Sequence, residues 1–208
     1  MRYKLLFLIL AILLVLSFIS CQQEPPNLPP QAEPSLFEGG GFSFLYPSNW
    51  QIMTDTDIDR LWETELLGEV AGFSEDSVIW IGGVYWGHVD PSRYADSANI
   101  VVVVAEALDI PGPMSDEDYD DAFKKVEASF ESGLGERLYS IQKRMVGELQ
   151  AIEVEGLGRS RNQIIRSVFI FAKPDHIYYI GCGVSKDTRE FFSPILEETI
   201  ASLKVSVE

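Results

Sequence analysis

Four consecutive valines, Val101 to Val104, lie within the run Asn99–Leu108 and constrain this chain more than any other feature. Successive side chains of a strand point to opposite faces, so an unbroken β-branched run is apolar on both. Such a strand is central to a sheet and covered on both sides. Ile164 to Ala172 is also apolar on both faces. The chain is therefore expected to build a sheet with a packed layer on each face. With the first 20 residues and a proline-rich stretch set aside, about 170 of the 208 residues remain, enough for one domain with a real core.

The other elements are read in order around these strands. Phe42–Tyr46 alternates as a strand, Pro47-Ser48-Asn49 is a turn, and a second strand starts at Trp50. Thr54 to Leu67 has helical spacing, with Thr54 or Asp55 as cap and Gly68 as stop. Ser77–Trp86 is a strand interrupted by Gly82-Gly83, which predicts a bulge or a close backbone approach. After a turn at Asp109–Pro113, Ser115 with Asp118 approximates a capping box. The helix it opens has the stripe Tyr119, Ala122, Phe123, Val126 and Phe130, and Gly133 and Gly135 end it. Tyr139–Val146 and Gly147–Gly158 follow as strands, the second alternating Ala151, Ile152 and Val154 with Glu153 and Glu155. Lys173-Pro174-Asp175 turns the chain into the strand His176–Val184. A closing helix spans about Thr188–Ser202, and Pro194 places its true start near Ser193. Strand hairpins with helices before, between and after them predict α+β, a mainly antiparallel sheet sandwiched between helices.

The first 21 residues stand apart from this pattern. Arg2 and Lys4 precede an apolar stretch from Leu5 to Ile19, and Phe18-Ile19-Ser20-Cys21 closes it. This is the layout of a secretory signal. Fifteen residues also fall short of the ~20 that span a hydrocarbon core. The last four residues resemble a bacterial lipobox, which implies cleavage between Ser20 and Cys21 and an N-terminal diacylglycerol and acyl lipid on Cys21. Phe18 replaces the more usual leucine. The expected organisation is a signal over residues 1–20, a lipidated cysteine and Pro/Gly-rich tether over 21–41, and a domain over 42–208. Gln22–Ser35 carries prolines at 25, 26, 29, 30 and 34. Extended at roughly 3.1 Å per residue, it reaches about 40 Å. Gly39-Gly40-Gly41 reads as a flexible joint.

Charge narrows the partners. Beyond residue 20 the chain has 14 basic and 32 acidic side chains, a net of −18. Such a surface repels phosphate backbones, which argues against nucleic acid as a partner. It also argues against a polybasic membrane face, so the lipid must anchor the protein to the membrane. Of the two cysteines, lipidation of Cys21 leaves Cys182 without a disulfide partner.

The stretch Phe42-Ser43-Phe44-Leu45-Tyr46-Pro47-Ser48-Asn49-Trp50 resembles the opening hairpin of PsbP-like domains, Phe-x-hydrophobic-x-Tyr-Pro-x-x-Trp. The valine-rich strand followed by a helix, the Gly147-to-Ala151 spacing, the Tyr178-Tyr179 strand and the ending Ser202-Leu203-Lys204-Val205 extend that resemblance over residues 36–208. It implies an α/β/α sandwich of the PsbP and Ran-binding Mog kind, whose members mostly act as binding or accessory subunits without catalysis. The expected partners are the membrane, through the lipid, and a membrane protein complex. Fold alone does not fix function.

Residue chemistry adds little that is catalytic. No nucleophile elbow, phosphate loop or zinc-helix motif is present. Gly156-Leu157-Gly158 and Gly181-Cys182-Gly183 lack the third glycine of a dinucleotide fingerprint. His176 and Cys182 share a strand face ~20 Å apart and cannot touch. Asp55, Asp57 and Asp59 imitate a calcium loop, but Arg60 stands where glycine is required and Leu66 where a glutamate belongs. The acidic run Asp116–Asp121 suits a helix's first turns better than a metal. The candidate binding cleft is Trp80, Tyr85, Trp86, His88 and Asp90, aromatics on a strand running into a His-x-Asp turn. Ordinary packing is the competing account, since alternate strand residues must face a core. The expected function is a membrane-anchored, extracytoplasmic, non-catalytic binding or accessory domain with no cofactor. The alternatives are a cation-binding lipoprotein and a carboxylate-based extracytoplasmic enzyme.

Overall fold

The structure is a computed structural model, and it describes residues 32–62, 75–90, 94, 96–107, 115–134, 138–158 and 162–206, excluding the side chains of 129–134. The strands are β1 (Pro34–Gly39), β2 (Phe42–Pro47), β3 (Gln51–Ile52), β4 (Val78–Trp86), β5 (Ala98–Glu106), β6 (Leu138–Val146), β7 (Leu149–Leu157), β8 (Gln163–Lys173), β9 (His176–Ser185) and β10 (Lys204–Val205). The helices are α1 (Asp55–Leu61), α2 (Asp116–Leu134) and α3 (Arg189–Ser202). Seven strands form one sheet in the order β3-β4-β5-β9-β8-β7-β6, and β1-β2-β10 form a second. Every pairing is antiparallel. The α+β class and the mainly antiparallel sheet are as the pattern predicts.

Strand β5 explains the layering. Ala98 through Ala105 are all buried, and their alternation feeds two separate cores. Ile100, Val102 and Val104 pack with Phe44, Trp50, Phe192 and Leu196, under the small sheet and α3. Val101, Val103 and Ala105 pack with Leu61, Tyr119 and Tyr179 on the side of α1 and α2. Each fully buried valine contributes roughly 1.5–3 kcal/mol relative to exposure. One cover therefore differs from expectation: it is a helix plus a three-stranded sheet, not helices alone.

That small sheet claims part of the supposed tether. Pro34–Gly39 pairs with β2, and Phe37 is buried with its ring stacked on Phe44 at 4.7 Å. Proline is tolerated at the first residue of an edge strand, which explains why Pro34 does not exclude pairing. The expected glycine joint is a hairpin turn instead. Gly40 and Gly41 have φ of 56° and 79°, a conformation costly for other residues. Helix α3 then locks onto β2 at Leu45, beyond the residues that β10 pairs. Thr199 Oγ1 donates to the Leu45 carbonyl at 3.0 Å, and the Leu45 amide donates to Ser202 Oγ at 2.9 Å.

The starts of α1 and α2 follow their sequence signals, whereas α1 ends at Leu61, short of the expected Leu67. Thr54 and Asp57 form a reciprocal capping box at α1. The Asp118 amide donates to Ser115 Oγ at 3.2 Å ahead of α2. Helix α3, however, starts at Arg189 and carries Pro194 inside it, with Ser193 Oγ donating back to the Arg189 carbonyl. Proline there removes only the bond to the Glu190 carbonyl, on an exposed residue, so the helix tolerates it. Helix α2 likewise runs through Gly133. Leu66, Leu67, Gly68, the Asp109–Pro113 turn and Gly135 lie outside the described residues, as does the Phe130 side chain.

The two glycines of β4 have different roles. A Cβ on Gly82 would lie 2.6 Å from Trp80 Cη2, whereas one on Gly83 would overlap the Ile100 carbonyl oxygen of the neighbouring strand. A side chain can shift; a paired backbone cannot. Gly83→Ala is expected to cost about 1–3 kcal/mol. A lowered urea midpoint at unchanged slope would register it, and an unmoved midpoint would contradict it.

Candidate functional site

The pleat of β4 separates the residues of the expected cleft. Trp80 and Trp86 pack against the core under the small sheet, while Tyr85 packs on the opposite face with the α1–α2 core. Trp80 lies 6.4 Å from both Phe37 and Phe42 between ring centroids, and its indole occupies the space above Gly39, Gly40 and Gly82. It is a wedge between the two sheets. The Tyr85 hydroxyl donates to Gln51 Oε1 at 3.1 Å. His88 is exposed and stacks on Tyr94 at 3.6 Å, and Asp90 is half-buried. The five therefore do not line one cleft, because adjacent strand positions face opposite layers. Ser20 and Cys21 lie outside the described residues.

A different constellation gathers beneath α3. Glu153 on β7 is only 3% exposed, although its place in an alternating strand predicts a solvated side chain. Arg144 Nη1 on β6 approaches Glu153 Oε2 at 2.6 Å, and Arg166 Nε on β8 donates to Glu153 Oε1. Both guanidinium groups also reach Glu197 of α3: Arg166 Nη1 at 2.6 Å and Arg144 Nη2 at 3.7 Å. Two cations and two anions alternate around a closed ring. Arg189 at the start of α3 pairs with Glu155 of β7 nearby.

Electrostatics make this ring a clamp. Burial by itself raises the Glu153 pKa, but hydrogen bonds and charge from Arg166 and Arg144 outweigh it and hold the carboxyl below its ordinary value. Glu153 is therefore ionised at neutral pH and has no proton to give. Burial would lower the Arg166 pKa, yet its bonds to Glu153 and Glu197 raise it. Cys182, the cross-strand partner of Arg166, is buried, and that burial pushes its thiol up to about 12. It stays a neutral core thiol, as its apolar strand face predicts. His176 is at the other end of β9, its Nδ1 2.7 Å from the Pro174 carbonyl oxygen. Among the described residues, no three His, Cys, Asp or Glu side chains are grouped to hold a metal, and no helix is long and apolar enough to cross a membrane.

A groove of about 300 Å³ opens between the β2–β3 turn and α3. Pro47, Trp50, Phe191, Pro194 and Ile195 line it, joined by Ala32 and Pro34 where the described chain begins. Trp50 is 4% exposed, packs edge-on against Phe192 at 5.9 Å, and its buried Nε1–H has no acceptor among the described residues. Both the ring and the groove were hidden in the sequence. The alternation of opposite charges at Arg144, Glu153 and Arg166 was a usable signal only with the strand register known.

No family model and no curated protein matches the chain. Among solved structures it is similar to cyanobacterial PsbP from Synechocystis, at 12% identity and a TM-score of 0.48, covering 88% of this chain and 98% of that one. It is also similar to a Pseudomonas aeruginosa protein of unknown function, at 11%, 0.45, 85% and 100% respectively. A third is Mycobacterium tuberculosis LpqN, involved in cell envelope biogenesis, at 12%, 0.44, 89% and 91%. A PsbP thus stands among the similar structures, as the opening-hairpin resemblance leads one to expect. With TM-scores under 0.5, these likenesses have no bearing on activity.

Glu153→Gln should cost about 1–3 kcal/mol, because two half-buried guanidinium groups lose their shared buried anion. The depressed pKa sets the sign with pH. The ring's contribution from Glu153 is whole above the ordinary carboxyl value of 4.5 and fades as pH falls through the lower folded value. The gap in stability between wild type and variant should therefore narrow below pH 4.5 in urea titrations. A constant gap would assign the loss to packing instead.

Proposed function

We propose that this chain is a lipid-anchored, extracytoplasmic binding or accessory domain that performs no catalysis. The observation that carries this reading is the order of its first 39 residues. A short charged-then-apolar stretch ends at Ser20-Cys21, prolines follow, and a folded domain starts with β1. An acylated Cys21 places the domain outside the cytoplasmic membrane, and two lipid chains or more give an anchor that a single one does not.

The domain's chemistry supports binding over turnover. The charges gathered beneath α3 neutralise one another in the Arg144–Glu153–Arg166–Glu197 ring, and the domain's buried thiol is protonated. A general base needs a free, reachable proton acceptor near the operating pH. Glu153, fully engaged by two arginines, is not one. Exposed apolar side chains such as Leu36, Ile52 and Met145 are spread singly over several elements. Among the described residues, one concave surface is the largely apolar groove beside the tether, which is suited to a segment of chain.

Replacing Cys21 with Ala should move the protein from the membrane to the soluble fraction after cell fractionation. Retention of the Cys21→Ala form in membranes at the wild-type level would refute the lipid anchor.

A further inference from the structure

We propose that the groove between the β2–β3 turn and α3 is the seat of the chain's own proline-rich stretch, Pro25–Pro30. Three observations converge on this occupant. Position comes first. Ala32 and Pro34 line the groove, so Pro30 is two residues from its wall. At roughly 3.1 Å per residue, Leu28 lies within ~12 Å of Ala32. A segment tethered so closely is held at an effective concentration of about millimolar or above, so even a weak contact is populated.

Chemistry comes second. Trp50, Phe191, Pro47 and Pro194 make an aromatic and prolyl surface, and Asn49, Glu198 and Thr199 are its polar lining. Such grooves receive polyproline helices, whose order is largely built in and whose docking costs little entropy. Pro25-Pro26-Asn27-Leu28-Pro29-Pro30 has four prolines and one leucine among six residues, and prolines have no amide hydrogen to strand in an apolar groove.

The third observation is a deficit in the fold itself. Trp50 is 96% buried, and its indole Nε1–H finds no acceptor among the described residues. A buried donor left unmade costs about 1–3 kcal/mol. A polyproline segment presents carbonyl oxygens along its whole length, since none of them is used internally. Trp50 lines the groove, so a small turn of its indole brings the N–H to one such carbonyl. Docking would then fix the direction in which the chain leaves the domain. It uses only residues of the chain beyond Cys21, so it does not depend on the lipid.

The experiment observes the Trp50 indole N–H by NMR in the full Cys21→Ala chain in detergent micelles. The resonance is assigned among the four tryptophans by its disappearance in Trp50→Phe. The comparison sample carries Leu28→Ser, Pro29→Gly and Pro30→Gly, changes outside the folded domain. Docking predicts that the Trp50 resonance moves and exchanges faster with solvent in the triple variant, while those of Trp62, Trp80 and Trp86 stay in place. Adding the free peptide Gln22–Gln31 at millimolar concentration should return it toward its original position. Coincident Trp50 resonances in the two chains would overturn the proposal. So would a resonance that moves only when an unrelated proline-rich peptide is added to the unaltered chain, for then the groove takes a foreign segment. Because Cys21 is alanine in every sample, neither outcome bears on the membrane anchor, which fractionation alone decides.

Discussion

Burial of both faces of one strand dictates this architecture. Val101 and Val103 project one way from β5, and Ile100, Val102 and Val104 project the other. Neither set tolerates water, so the sheet needs two covers that are built independently. Helices α1 and α2 supply one. The other is a composite of α3 and a small sheet, and that composite creates the molecule's distinctive features. A helix and a sheet laid side by side leave a seam, and the groove lined by Trp50 and Pro194 is that seam. Elsewhere the same cover crosses strands whose inward residues are charged, and there the arginine–glutamate ring forms.

The ring shows how an ion pair can organise a layer without making it much more stable. Bringing four charges under a helix costs solvation that their mutual attraction only partly returns. The gain is one of placement. Glu197 can meet both Arg144 and Arg166 only when α3 lies in one rotation and at one height on the sheet. Thr199 and Ser202 fix the same helix against Leu45 through hydrogen bonds. Tyr119 does the equivalent on the other side, where its hydroxyl donates to the Ala151 carbonyl and accepts from the Arg144 amide. Polar contacts thus set the pose of covers that apolar contacts hold in place.

Sequence patterns revealed what depends on local periodicity. The two-sided runs of β5 and β8, the capping box at Thr54, and the turn at Lys173–Asp175 are all local, and the structure contains each. What escaped depends on register and packing between distant segments. Pro34–Gly39 looked like tether because the prolines before it and the glycines after it outweighed the single pair Leu36-Phe37. Only the partner strand makes Phe37 a core residue. Glu153 looked solvated because acidic residues alternating with aliphatic ones usually are. Its burial becomes legible only when Arg144 and Arg166 are known to flank it on neighbouring strands. Trp80 and Tyr85 looked like neighbours in a cleft until the bulge between Val78 and Trp80, and the pleat beyond it, assigned them to different layers.

The placement of β1 also has a mechanical meaning. Any tension carried by residues before Ala32 enters the domain through an edge strand that pairs with β2 alone. β1 and β2 run antiparallel through six residue pairs and are closed by a tight glycine turn. A pull on the free end of β1, directed away from the domain, therefore loads those pairs one after another, starting at Pro34↔Pro47. The central sheet, with β5 paired on both edges, would feel little of this load until the hairpin had opened. The hairpin can act as a mechanical fuse: an outer strand that peels first and leaves the buried valines intact.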